Sequence, residues 1–328
     1  MISASAASAS RSAKPDLPLA VGPAISQMRG SMQLALTLVS PEPGAAADAL
    51  TLVGQALAGV RARVKEPRPL GTGALDLAVE ADDERAVRQA AEAALAGRPV
   101  DVCVQLWNGR KKRLLVADMD STIINVECLD ELADFAGLKA KISAITERAM
   151  RGELAFEPAL RERVALLKGL SVDALQRTYD ERVRLNPGAR TLVRTMAATG
   201  ARCVLVSGGF TFFTSRVAEQ AGFQAERANT LIEADGELAG RVGEPILGRE
   251  AKLAALREEA TSLGASLSET LAVGDGANDL GMIEAAGLGV AYRAKSIVAA
   301  QADAKVEHAD LTALLYFQGY REAEFVTD

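Results

Sequence analysis

Histidine is almost missing from this chain: one residue, His308, in 328. That scarcity excludes Ser–His–Asp triads and histidine-rich metal sites, so any catalysis has to rest on carboxylates, lysine and hydroxyls. Cysteine is nearly as rare. Cys103, Cys128 and Cys203 stand far apart, two of them inside apolar strand-like runs. They exclude a disulfide framework or a zinc site and suggest reduced core thiols in a cytoplasmic protein. Basic excess is absent too, since the net charge is -6, and that argues against a nucleic-acid partner. The only basic run, Lys111-Lys112-Arg113, reads as a solvated strand entrance. No apolar run is long enough to span a bilayer and the first residues hold no signal-type hydrophobic stretch, so the chain reads as soluble, without a membrane partner.

What is present divides into three stretches. Residues 1–31 are rich in Ala, Ser and Pro, with Asp16 the only acid among the first 30. They read as a disordered tail, with a transit peptide as the alternative. Residues 32–108 alternate strand, helix, strand, strand, helix and strand patterns, with Asp82 or Asp83 as a helix N-cap. That order predicts a ferredoxin-like α+β module of the ACT-like kind. No ligand motif is readable in it, which leaves a structural role or homodimerisation. Residues 109–328 change to strand–helix repeats, with a long helical stretch at about 125–185 after the first strand. The expectation is a doubly wound parallel α/β sheet carrying a helical cap insertion.

The chemistry starts at Leu114-Leu115-Val116-Ala117-Asp118-Met119-Asp120-Ser121-Thr122. An apolar run of this kind predicts a strand buried on both faces of a parallel sheet, and ligands bind beyond the carboxyl ends of such strands. Two carboxylates there repel each other unless a cation or donor compensates. Two further strand ends carry Ser207-Gly208-Gly209 and Gly274-Asp275-Gly276-Ala277-Asn278-Asp279, and Lys252 lies on the helix between them. Alone, Lys252 reads as a solvated face and Ser207-Gly208-Gly209 as a turn. Together, a carboxylate nucleophile, hard oxygen ligands for Mg²⁺, a neutralising lysine and a glycine backbone open to close approach suit phosphoryl transfer.

These motifs resemble those of the haloacid-dehalogenase-like (HAD) phosphohydrolases, whose first motif has the form DxDxT/S. The match runs over roughly residues 111–295. More narrowly, Asp118 to Thr122 with Glu127, then Ser207 to Phe210, then Gly274 to Asp279, is similar to the phosphoserine phosphatases. That resemblance implies Mg²⁺-dependent hydrolysis of O-phosphoserine, the last step of serine biosynthesis, through an aspartyl-phosphate. Asp118 would be the nucleophile and Asp120 the general acid and base. Mg²⁺ would bind the Asp118 carboxylate, the Asp120 carbonyl and Asp275, with Asp279 acting through water or a supporting bond. Ser207, Gly208 and Lys252 would hold phosphate, with Asn278 close by. On the cap, Glu127 would meet the substrate ammonium and Arg163 its carboxylate, while Met150 and Phe156 would shield the site. The hairpin signal at Asp235-Gly236 would be the family's small flap.

Three alternatives share parts of this pattern. A receiver-like switch also uses a phosphorylated Asp, an acidic cluster, a hydroxyl and a lysine, but it has neither the cap nor the second acid, Asp120. An amino-acid-binding regulator would work through residues 32–108 alone. A phosphotransferase, or a phosphatase for another small ester, would keep all the catalytic residues.

Overall fold

The structure, a computed structural model, describes residues 31–150 and 153–327, without the side chains of residues 149 and 150. The expected tail therefore falls, apart from Ser31, outside the described residues.

The chain first builds an antiparallel sheet with helices on one face. In order come β1 (Met32–Val39), α1 (Ala45–Asp48), α2 (Leu50–Gly59), β2 (Arg63–Val64), β3 (Arg68–Gly71), β4 (Ala74–Ala81), α3 (Glu84–Ala94) and β5 (Asp101–Leu106). The strand order is β2-β4-β1-β5, with the short β3, unmarked in the sequence reading, paired to β4. Of the two N-cap candidates it is Asp83 that accepts from the N–H of Ala86, at 3.1 Å.

Six successive residues of β1, Leu34 to Val39, are buried, although a sheet with one covered face buries only every second residue. Leu34, Leu36 and Leu38 pack under the helices with Val53, Leu57 and Val87. Val39, Ala74 and Cys103, pointing the other way, join the core of the following unit with Leu314 and Phe317. Both faces are thus covered, one by the module's own helices and one by the catalytic unit.

Polar contacts fasten this junction. The fully buried Asp76 carboxylate accepts from Thr37 at 2.7 Å, from Arg68 at 2.7 Å and from Arg110 at 2.9 and 3.2 Å. Arg68 and Arg110 also lie against the ring of Trp107. Asp101 accepts the backbone N–H groups of Glu307, His308 and Ala309 at 2.8–3.2 Å. Residues 31–328 accordingly fall in one compact unit.

The catalytic unit begins with β6 (Leu114–Ala117), which is wholly buried. Four helices of the insertion follow: α4 (Cys128–Phe135), α5 (Lys139–Met150), α6 (Phe156–Ala165) and α7 (Asp173–Arg182). The chain returns through α8 (Ala189–Ala198), β7 (Arg202–Phe210), α9 (Thr211–Ala221), β8 (Ala225–Asn229) and the hairpin β9 (Leu231–Ala234) to β10 (Glu237–Val242). It closes with α10 (Arg249–Ser262), β11 (Thr270–Gly274), α11 (Leu280–Ala285), β12 (Leu288–Tyr292), α12 (Ser296–Ala299), β13 (Ala304–Val306) and α13 (Ala313–Phe317). The sheet is parallel, in the order β13-β12-β11-β6-β7-β8.

Strand order reverses between β6 and β11, where open α/β sheets place their ligands. Val273 pairs with Ala117, and the N–H of Asp118 donates to the Val273 carbonyl at 3.0 Å. The residues after β6 and after β11 therefore emerge side by side. One expected boundary is corrected. The strand predicted to end at Val206 runs to Phe210, because β8 resumes pairing after a register shift, with Phe210 opposite Asn229. The hairpin turns at Asp235 (φ 53°) and Gly236 (φ 80°), as its Asp-Gly pair requires. It then docks on the insertion: Gly169 N–H donates to the Leu238 carbonyl and Leu238 N–H to the Leu170 carbonyl.

Candidate active site

Asp118 leaves β6 in extended conformation, and its carboxylate accepts the next N–H, that of Met119, at 2.8 Å. The chain then makes one irregular turn in which Ser121 takes a left-handed φ of 56° and Ile124 N–H closes back on the Met119 carbonyl. This turn carries both acids. Lys252 reaches it from α10: its Nζ lies 2.5 Å from Asp118 Oδ1 and 2.6 Å from Asp279 Oδ1. All three groups are nearly or fully buried. Burial alone would pull the lysine pKa down, but the two carboxylates override it and hold the ammonium charged, well above its usual range. Burial and the Asp279 charge push the Asp118 carboxyl up.

Asp118, Asp275 and Asp279 bring carboxylate oxygens within 4.8 Å of one another. Three carboxylates against one ammonium leave excess buried negative charge, and the donors are all hard oxygens. That set fits a divalent cation of the Mg²⁺ type. Asp275 responds to the same crowding, pushed up to about 6 by burial and then by the charges of Asp279 and Glu127. Asp279 is also tied to its own loop, accepting the Gly276 N–H at 3.0 Å. A side chain at Gly274 would collide with the Asp279 carboxyl, so only glycine permits this fold-back. Asn278 folds over Gly276, half-buried at the rim.

Asp120 turns away from the acidic cluster. Its carboxylate accepts the Cys128 N–H at 2.9 Å, the first of α4, and the Ser207 hydroxyl at 3.2 Å. Burial and then the Glu127 charge push its pKa up to about 7, against those donors. The group therefore exchanges a proton near neutrality, where a general acid and base works best. Ser207 in turn accepts the Gly209 N–H at 2.8 Å. At Gly208 a Cβ would meet the Phe156 ring at 3.2 Å, so the glycine lets this cap residue lie over the end of β7.

The cap charges sit on the same side and are less confined. Glu127 is exposed and accepts the Ser121 hydroxyl at 2.7 Å. Arg163 donates to the Ala159 carbonyl at 3.2 Å and to the Thr146 hydroxyl at 3.3 Å. Desolvation lowers its pKa while the charges of Asp130 and Glu127 oppose that. Nine of the ten side chains and backbone groups singled out for catalysis and substrate are thus described, and the tenth, the Met150 side chain, lies outside the described residues.

Other contributors carry no sequence signal. Cys128 acts through its backbone. Asn229 donates to the Gly208 carbonyl at 2.9 Å and accepts the Leu247 N–H at 2.7 Å, tying the end of β7 to the segment that leads into α10. Asn186, just before Pro187, bonds back to the loop that bears Asp120.

Known proteins are similar to this chain in sequence and fold. The family model of the haloacid dehalogenase-like hydrolases matches residues 115–284. A phosphoserine phosphatase of Polaromonas sp. is 49% identical over 208 residues, 62% of this chain and 88% of that protein. A HAD family hydrolase of Salmonella enterica serovar Typhi superposes with a TM-score of 0.77 at 27% identity, covering 87% of this chain and 98% of its own. A solved phosphoserine phosphatase described as a phospho-aspartyl intermediate analogue matches with a TM-score of 0.59 at 39% identity, over 63% of this chain and 99% of its own.

Proposed function

The chain belongs to the haloacid dehalogenase-like hydrolases, and from that premise we propose that it hydrolyses O-phosphoserine to serine and phosphate in a Mg²⁺-dependent reaction, the last step of serine biosynthesis. The observation that carries the reading is the convergence of Asp118, Asp120, Ser207 and Lys252 beneath a cap bearing Glu127 and Arg163. The close relatives bearing the name phosphoserine phosphatase support the substrate.

The residues divide the work as follows. An Asp118 oxygen attacks phosphorus, the serine oxygen–phosphorus bond breaks, and Asp120 delivers its proton to the leaving serine oxygen. Water then attacks phosphorus, Asp120 takes its proton back, and the Asp118–phosphorus bond breaks. Lys252, the Ser207 hydroxyl and the Gly208 backbone hold the phosphoryl oxygens, with Asn278 close to them. The Asp118 carboxylate, the Asp120 carbonyl and Asp275, with Asp279 in support, would hold Mg²⁺, which when bound would supply further neutralisation of the transferring group. Glu127 faces the substrate ammonium and Arg163 its carboxylate, for which a guanidinium fork is suited. Phe156 screens the site from water.

For residues 32–108 we propose a ferredoxin-like, ACT-like domain, supported by the element order and the strand order β2-β4-β1-β5. One face of its sheet is occupied by α13, so a homodimer built through it would use the helix face or an open edge. No helix among the described residues is long and apolar enough to cross a membrane. The three cysteines are free and buried, which supports a cytoplasmic location.

A panel of phosphoserine, phosphoethanolamine, glycerol phosphate and p-nitrophenyl phosphate, with Mg²⁺ present or chelated, tests reaction, metal and substrate together. Phosphoserine should be turned over with the highest kcat/KM, and chelation should abolish it. Equal kcat/KM across the panel would remove the serine assignment, and undiminished turnover after chelation would remove the metal.

A further inference from the structure

The insertion joins the core through two chain crossings, residues 122–125 outward and 184–186 on return. They lie antiparallel, with Ile124 bridged to Leu185. Asn125 N–H donates to the Arg184 carbonyl at 3.1 Å, and the Asn125 side-chain oxygen accepts the Arg184 N–H at 2.8 Å. Asn186 adds three bonds. Its backbone N–H donates to the Ile123 carbonyl at 2.8 Å, and its side-chain nitrogen donates to the Thr122 carbonyl at 2.8 Å and the Ile124 carbonyl at 3.0 Å. Both amide hydrogens are thereby used, each on a different backbone oxygen.

Those oxygens terminate the turn that carries Asp118 and Asp120. The turn includes a non-glycine residue, Ser121, with φ of 56°, and such a conformation persists only where the surroundings hold it. The Thr122 hydroxyl, fully buried, has no hydrogen-bond partner, so it contributes no such hold. The loop's far end is fixed from outside, by Asn186.

We propose that Asn186 is a positioning residue for Asp120: by clamping the carbonyls of Thr122 and Ile124, it makes the cap's return crossing hold the loop on which the acid stands. This rests on the role of Asp120 given above. Any displacement of the return crossing is passed to the loop through three bonds, and a misplacement of about 1 Å in a reacting group costs about 10²-fold. The cap and the proton donor are in this way set by the same contact.

The test uses the full chain with Mg²⁺ and measures first-turnover rates for phosphoserine and p-nitrophenyl phosphate. Phosphoserine needs a proton on its leaving oxygen, while nitrophenolate does not. Asn186→Ala should slow the first turnover of phosphoserine about tenfold or more, with KM within a factor of about two and nitrophenolate release in the first turnover unchanged. Asn186→Asp, nearly the same shape but with oxygens facing two carbonyls, should be slowed at least as much. If Asn186 served only packing, the Asp variant would keep the original rate while the Ala variant lost it, and that order would overturn the proposal. Parallel losses for both substrates would also overturn it, since they mean a collapsed loop. Rates unchanged in both variants would do the same. If the unaltered protein does not turn over phosphoserine, the functional reading itself fails, and this role with it.

Discussion

The two ends of the site are built by opposite rules. At the phosphate end, Asp118, Asp279 and Lys252 are buried and satisfy one another at 2.5–2.6 Å. At the cap end, Glu127 is exposed and, among the described residues, Arg163 donates to a carbonyl and a hydroxyl at 3.2–3.3 Å. Charges kept in a dry sheet edge cannot relax, so they are preorganised for a group that is the same in every phosphate ester. Glu127 at the head of α4 and the half-buried Arg163 on α6 are held less tightly. In the function proposed above, chemistry belongs to the buried half and selection to the cap.

The sharpest way to break that comparison is at the nucleophile. Asp118→Asn is nearly isosteric but cannot attack phosphorus, so turnover of every ester should vanish while the thermal transition remains cooperative. Residual phosphoserine turnover at the original rate would show that the dry edge is not where the bond forms. Arg163→Ala should act on one substrate class only. Losing a charge-assisted bond of about 1.5–3 kcal/mol should raise KM for phosphoserine on the order of 10–100-fold. Phosphoethanolamine, which lacks the carboxylate, should be almost unaffected, and an equal rise for both would make Arg163 structural.

A subtler effect links the halves. Burial first and Glu127 second hold Asp120 near 7, and the protonated form is the one that assists the leaving group, so phosphoserine turnover should decline as pH rises through that region. Glu127→Gln removes a negative charge, which lowers the Asp120 pKa, so the alkaline limb of kcat should move to lower pH. A limb that stays put or moves up would mean the two carboxylates do not sense each other. The smallest expected effect on turnover lies at the module junction. Asp76→Ala strips a buried acceptor from Arg110 and Arg68 and should cost about 3 kcal/mol of stability, read by unfolding followed through Trp107, the single tryptophan. The kcat of the folded protein should hardly change. A large kcat loss without a stability loss would mean that the module acts on the chemistry.

Much of this was legible before any coordinates. Leu114 to Ala117 had to be a doubly buried strand, and a parallel sheet sends its strand ends to one edge, so Asp118, Ser207 and Asp275 were predictable neighbours. The hairpin at Asp235-Gly236 follows from residues that accept positive φ. The end of β7 was misjudged because Ser207, Gly208 and Gly209 look like a turn, whereas the strand runs on to Phe210, which pairs with Asn229 of β8.

The chain by itself pointed to the acids after β6 and β11 as the candidate chemistry, since so few residue types were available and both sets directly follow buried strands, while Lys252 stood out only beside them. The tertiary structure alone decided how they are charged and held. The Asp120 pKa depends on Glu127 and on the first N–H of α4. The grip on the end of β7 depends on Asn229, and the grip on the Asp120 loop on Asn186, some 62 to 64 residues away in sequence. Both faces of the N-terminal sheet are buried only because α13 returns from the far end of the chain. Burial, field and hydrogen-bond partnership are properties of what surrounds a residue, and no periodicity along the chain encodes them.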